Sequence, residues 1–168
     1  MTGLQEMILI DEVILQSKIA QRAAARLKAT HDNFDHVETW CSIQSILVAV
    51  GNISKILWPI EKYKARGNKL RQLLKVDNNN PISSRKFRNH FVHYDERIEE
   101  RFETTPKGVY IDLVMNPSLR NSIFNGSILN TNRGYNSSNN SLIFRDEILY
   151  LDDVFIALQN IVINCKSY

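Results

Sequence analysis

Trp40-Cys41-Ser42-Ile43-Gln44-Ser45-Ile46-Leu47-Val48-Ala49-Val50-Gly51-Asn52-Ile53-Ser54-Lys55-Ile56-Leu57-Trp58-Pro59-Ile60 is the stretch on which the fold turns. Its length suits either a membrane span or the central helix of a globular core. Gln44, Asn52, Lys55 and Pro59 fall inside it. A bilayer would have to bury those groups, so a core helix is the better reading. Ile43, Ile46, Leu47, Val50, Ile53 and Leu57 recur at helical spacing and mark the face that meets the core. Pro59 lacks a backbone donor and ends the helix.

Upstream, residues 4–29 read as a long helix with Leu4, Ile8, Ile14, Leu15 and Leu27 as its apolar contacts and an alanine-rich, helix-forming stretch at 21–26. Asp32 or Asn33 is placed to cap the helix that follows. Downstream, a short basic helix is expected at about 68–76, with Leu70, Leu73 and Leu74 inward and Lys69, Arg71 and Lys75 in water. Asp77-Asn78-Asn79-Asn80-Pro81 breaks the chain. Ser83 or Ser84 then caps a fourth helix reaching to about Phe102. Phe87, Phe91, Tyr94, Ile98 and Phe102 fall within an arc of roughly 80° on that helix, which predicts one buried face.

Beyond 104–108 the period changes. Residues 109–114 and 142–151 are rich in β-formers and are read as strands paired antiparallel. Between them, 116–141 is polar, with Ile123, Phe124, Ile128 and Leu129 as anchors and room for one more short strand. Asp152 or Asp153 opens a last helix to about Cys165, with Val154, Leu158, Ile161 and Val162 inward. The expected architecture is one mainly α domain, 1–168, with a small antiparallel β insertion at about 107–151.

A chain of 168 residues, 43% hydrophobic and 23% charged, can bury a core without disulfides or a metal. Cys41 and Cys165 are read as buried reduced thiols, and nothing suggests a zinc site or a disulfide framework. The first residues lack a basic start and a small-residue cleavage site, so the expected location is cytoplasmic. The net charge of +3 hides an asymmetry: residues 55–88 hold ten Lys or Arg against only Glu61 and Asp77. Such a stretch attracts phosphate backbones, or else is a solvated connecting surface.

The chemistry-bearing stretch is Arg85-Lys86-Phe87-Arg88-Asn89-His90-Phe91-Val92-His93-Tyr94-Asp95-Glu96-Arg97. With the aromatic stripe inward, Asn89, His93, Arg97 and Glu100 form a polar row, with His90 beside it. Arg88 lies about 140° around from His93 on an ideal helix, so its side chain has to reach over. Imidazole titrates near neutral pH and serves as base or acid; guanidinium is planar, always charged and suited to phosphate. Asp95 and Glu96 are expected to be solvent-facing or ion-paired.

Arg88-Asn89-His90-Phe91-Val92-His93 resembles the Arg, polar residue, three residues, His pattern of the HEPN superfamily. The order of elements, with three helices ahead of the motif, is also similar to its four- to five-helix bundles. Tyr94 and Asp95 depart from members that carry Tyr two residues after the His. The resemblance implies a metal-independent endoribonuclease of toxin–antitoxin or antiphage systems, acting by attack of the ribose 2′-hydroxyl. Arg88, His93 and Asn89 would be catalytic, and Lys69, Arg71, Lys75, Arg85, Arg97 and His90 would bind RNA. It implies no cofactor and no metal. A homodimer would bring two motifs to one cleft, and an antitoxin or other protein would be a further partner. The alternative is a non-catalytic HEPN-like module for dimerisation or for binding RNA, nucleotide or protein. A third reading makes the β insertion the partner-binding element.

Overall fold

The computed structural model describes residues 2–33, 35–105, 109–118 and 131–166. In chain order the elements are α1 (Gly3–Asn33), α2 (His36–Leu57), a 3-10 turn (Glu61–Tyr63), α3 (Lys64–Leu73) and a second 3-10 turn (Pro81–Ser83). Then come α4 (Lys86–Val92), α5 (Tyr94–Thr104), β1 (Val114–Met115), β2 (Arg133–Asn136), β3 (Ser141–Phe144), β4 (Glu147–Tyr150) and α6 (Leu151–Cys165). The protein is mainly helical with a small four-stranded sheet. It divides into two compact units, Met1–Arg88 with Asp153–Tyr168, and Asn89–Asp152. The second unit therefore takes in α5 as well as the expected 107–151 insertion.

In the first unit α1 packs along α2. Ile43, Ile46, Leu47, Val50, Ile53 and Leu57 are all buried, as their spacing predicts. On α1 Leu27 is buried as expected and Ile14 half-buried, but the rest of the inward face differs: Ile10, Val13, Ser17, Ala20, Ala23 and Thr30 are buried, while Leu4, Ile8 and Leu15 are exposed. The small side chains of Ser17, Ala20 and Ala23 let α2 come close, so packing selects the face that carries them. Ser17 satisfies its hydroxyl by donating to the Val13 carbonyl at 2.8 Å. α1 also runs through Asp32 and Asn33, so the cap of α2 is Asp35, which accepts from the Glu38 N–H at 2.9 Å. Among the described residues α2 alone is long and apolar enough to cross a bilayer, and 67% of that window is buried inside the fold.

α3 starts four residues before Asn68 and buries Gly67 and Leu70, with Leu74 buried just past its end. The Asn164 amide of α6 donates to the Leu74 carbonyl at 2.8 Å. α6 buries Val154, Leu158, Ile161 and Cys165; Val162 is half-buried. Burial pushes the Cys165 thiol up to about 11. Cys41, by contrast, is exposed, against the expectation of two buried thiols.

The single fourth helix is two helices, α4 and α5, parted at His93, where φ is −104° and ψ 42°. Each half answers to different contacts. His90 and Phe91 of α4 lie against Phe144 and Arg133, while the Arg97 carbonyl of α5 accepts from the Arg145 guanidinium at 2.9 Å. The aromatic stripe is consequently not one buried face. Phe87 and Phe91 are buried and Ile98 half-buried, but Tyr94 and Phe102 remain 51% and 43% exposed.

The sheet order is β1-β2-β3-β4, parallel between β1 and β2 and antiparallel elsewhere. The expected pairing of 109–114 with 142–151 does not form. β1 is two residues long and pairs with β2, the extra strand foreseen in the polar loop. Residues 142–151 fold back on themselves as β3 and β4, and Leu151 already belongs to α6. Arg145, at φ 55°, makes the turn between β3 and β4. The proposed anchors Ile123, Phe124, Ile128 and Leu129 lie outside the described residues.

Tyr135, Leu142, Ile143 and Phe144 are the buried heart of the sheet. Burial, then the Asp152 charge, pushes the Tyr135 phenol up to about 12. Arg133 grips Asp112 through a two-pronged contact, Nε to both carboxylate oxygens at 3.0 and 3.1 Å and Nη2 to Oδ2. Burial opposes the guanidinium charge, but the Asp112 hydrogen bond and charge outweigh it and raise the Arg133 pKa. Burial also raises the Tyr110 pKa, with the Asp112 charge adding to it.

Candidate functional site

α4 opens where the Ser84 hydroxyl accepts the Lys86 N–H at 3.3 Å. It closes with the His93 N–H donating to the Asn89 carbonyl at 2.9 Å, and α5 begins as the Arg97 N–H donates to the His93 carbonyl at 3.2 Å. His93 thus sits at a backbone break, exposed to solvent. Its Nδ1 is 3.2 Å from a Glu96 carboxylate oxygen. A carboxylate beside Nδ1 favours the tautomer protonated there, with Nε2 as the acceptor. Glu96 is expected to be solvent-facing or ion-paired. The pairing is present, and the signal for it was the three-residue spacing on one helix face.

The neighbours of His93 fall out differently from the ideal-helix row. Asn89 is exposed, and Arg97 is half-buried and paired with Glu100. His90, expected on the polar surface as an RNA contact, is buried instead. Its ring stacks on Phe144 at 3.8 Å and 5°, with Nε2 3.5 Å from Glu147. Helical spacing could not reveal this, because Phe144 and Glu147 reach His90 only through the sheet. α5 itself carries Asp95, Glu96, Glu99, Glu100 and Glu103 against Arg97 and Arg101, so a phosphate approaching His93 meets opposing charge.

In the first unit, Arg88 is half-buried with its stem against α2. A Cβ placed on Gly51 would come within 3.2 Å of the Arg88 Cγ, so the glycine makes room for the arginine. Arg85 is half-buried too. Of the basic residues assigned to RNA, Lys69 pairs with Glu6. Arg71, expected in water, is built into the fold. It donates to the Leu57 carbonyl at the end of α2 and to Asn68 and Asn78 at 2.6 and 3.2 Å, and lies 5.5 Å from the Trp58 ring. Lys75 is exposed at the end of α3 with φ 50°. Arg71 and Lys75 share a polar groove of about 470 Å³ with Asn68, Gln72 and Asn78. Among the described residues no group of three or more His, Cys, Asp or Glu is placed to hold a metal ion.

Comparison with family models, with curated proteins and with solved structures finds no match to this chain.

Proposed function

We propose that this chain is a HEPN-type, metal-independent endoribonuclease. The observation that carries the reading is an Arg88-Asn89-x-x-x-His93 motif whose histidine stands exposed at a helix break with a carboxylate on Nδ1. His93 would take or give the proton, Arg88 would stabilise the pentavalent phosphate, Asn89 would hold a phosphate oxygen, and Glu96 would act as a positioning residue for the His93 ring. Toxin–antitoxin or antiphage defence is the biological setting that the resemblance implies, with a homodimer completing the site. RNA would follow the basic 55–88 stretch through Lys75 and Arg85. Lys69 and Arg97 already have carboxylate partners, and Arg71 serves the fold.

The test is cleavage of RNA in excess EDTA by the full chain, leaving a 2′,3′-cyclic phosphate. His93→Ala should lower the rate by on the order of 10²-fold to 10⁴-fold while the protein stays folded. Glu96→Gln should lower kcat and shift the pH profile while His93 remains. A folded His93→Ala protein that cuts RNA at the wild-type rate refutes the assignment.

The acidic character of α5 favours a second reading, a non-catalytic HEPN-like module that binds a partner through the same surface. It predicts no product from purified protein and RNA, and no dependence of partner binding on Lys75.

A further inference from the structure

α1 is apolar on two opposite sides, and only one of them is used. The inner side packs on α2. On the outer side Leu4, Ile8, Leu15 and Ile19 are 67%, 58%, 50% and 39% exposed. On an ideal helix these four fall within an arc of about 60°, so they form a straight stripe and not a scatter. A groove of about 460 Å³ extends the stripe sideways, lined by Ile8 and Leu9 of α1 together with Tyr63 and Arg66. A second groove runs along Leu15, Ile19 and Arg22. Single exposed leucines need no explanation, but a continuous stripe over more than four turns does.

The spacing of the stripe says what covers it. The intervals from Leu4 to Ile8, Ile8 to Leu15 and Leu15 to Ile19 are four, seven and four residues, which read the same in both directions. A two-fold axis through the midpoint, between Asp11 and Glu12, sets Leu4 of one chain on Ile19 of its partner and Ile8 on Leu15. Self-complementarity of this kind is what an isologous contact requires, and a surface evolved for an unrelated helix has no need of it.

We infer that the outer face of α1 is a homodimer surface, on which two copies of this chain pair their α1 helices antiparallel about that midpoint. The area is sufficient. Four half-exposed aliphatic side chains, with Met7 beside them, leave on the order of 500 Å² per chain, or about 1,000 Å² for the pair, which is where specific interfaces begin. Charge works the other way at the centre. Asp11 and Glu12 flank the midpoint and face their own copies, Glu12 with one oxygen accepting from the Gln16 amide at 2.7 Å. Like charges oppose the pairing, so screening by salt tightens it. The inference is independent of the nuclease reading: the contact is made by α1 and is separate from the motif-to-motif pairing proposed above, and its salt response has the opposite sign to that of RNA binding.

The test is sedimentation equilibrium of the full chain without RNA, at low and high ionic strength. The expected result is a dimer whose dissociation constant falls as salt rises. Ile8→Glu should raise that constant by on the order of 10²-fold or more, since the residue occurs twice at the centre of the contact. In a Cys41→Ser background, Ile8→Cys together with Leu15→Cys should form an intermolecular disulfide on mild oxidation, and Ile8→Cys alone should not. These cysteine variants hardly alter an exposed face, so they report on pairing even if the glutamate variant folds poorly. A monomer at tens of micromolar, a dimer indifferent to Ile8→Glu, or a disulfide between two copies of Ile8→Cys each overturns the proposal.

Discussion

Gly67→Ala is the substitution in which local and tertiary effects point in opposite directions, and the structure decides between them. Gly67 is a buried residue of α3, where helix propensity by itself favours alanine by about 1 kcal/mol. The added Cβ, however, would lie 2.4 Å from Cδ of Pro59 and 2.7 Å from the Leu57 carbonyl oxygen. Neither neighbour can rotate away, because one is a closed ring and the other is backbone at the end of α2. The same carbonyl also accepts from Arg71, so displacing it disturbs a second contact. Overpacking of this kind costs typically about 1–3 kcal/mol, and a double clash with rigid atoms belongs at the upper end. With about 3 lost and about 1 gained, the net is about 2 kcal/mol of destabilisation. In a chain of this size that lowers Tm by roughly 4–8 °C. Thermal denaturation followed by far-ultraviolet circular dichroism measures it, with Gly3→Ala as the control, since nothing lies within 4 Å of a Cβ there. A Gly67→Ala protein as stable as the parent would refute the packing of α3 against Pro59.

Phe91→Ala removes a buried ring that lies 5.5 Å beneath the Arg133 guanidinium. It should cost about 3–5 kcal/mol in denaturant titration, whereas Tyr94→Ala, on the exposed part of the same stripe, should cost far less. Thiol labelling at pH 8 should modify Cys41 alone in the native protein and both cysteines after denaturation. Burial pushes the Cys165 thiol up to about 11, so its reactive thiolate is scarce below that pH. Two fast-labelling thiols in the folded protein would contradict the burial of α6.

Much of the α-helical layout was legible in the residues, for a simple reason. A helix is a local structure, and spacing along it reports burial directly. The core face of α2 and its stop at Pro59 were read correctly from 40–60 alone, as was the inward set Val154, Leu158 and Ile161 on α6. The reading failed where two faces of one helix competed. α1 offers the stripe Leu4, Ile8, Leu15 and Ile19 and a mixed one in which Ser17, Ala20 and Ala23 stand among Ile10, Val13 and Leu27, and closeness of approach to α2, which no local pattern encodes, chose the second. The candidate site shows the same division. His93 and Arg88 were singled out by residue type and spacing, but the buried place of His90 and the structural employment of Arg71 depend on groups far away in sequence.

By itself, then, the sequence determined a mainly helical protein with a short β segment before the last helix, an apolar α2 at the centre, and a histidine, an arginine and an asparagine clustered after a basic stretch. Only the tertiary structure decided that the helix carrying them breaks at His93, and that His90 lies buried against Phe144. It also decided that 142–151 turns back as a hairpin, and that Arg133 finds Asp112 across 21 residues. The physical reason is range. Propensity and periodicity act within a few residues, whereas strand partners, buried ion pairs and the choice between two apolar faces are settled when distant segments compete to exclude water from the same surface.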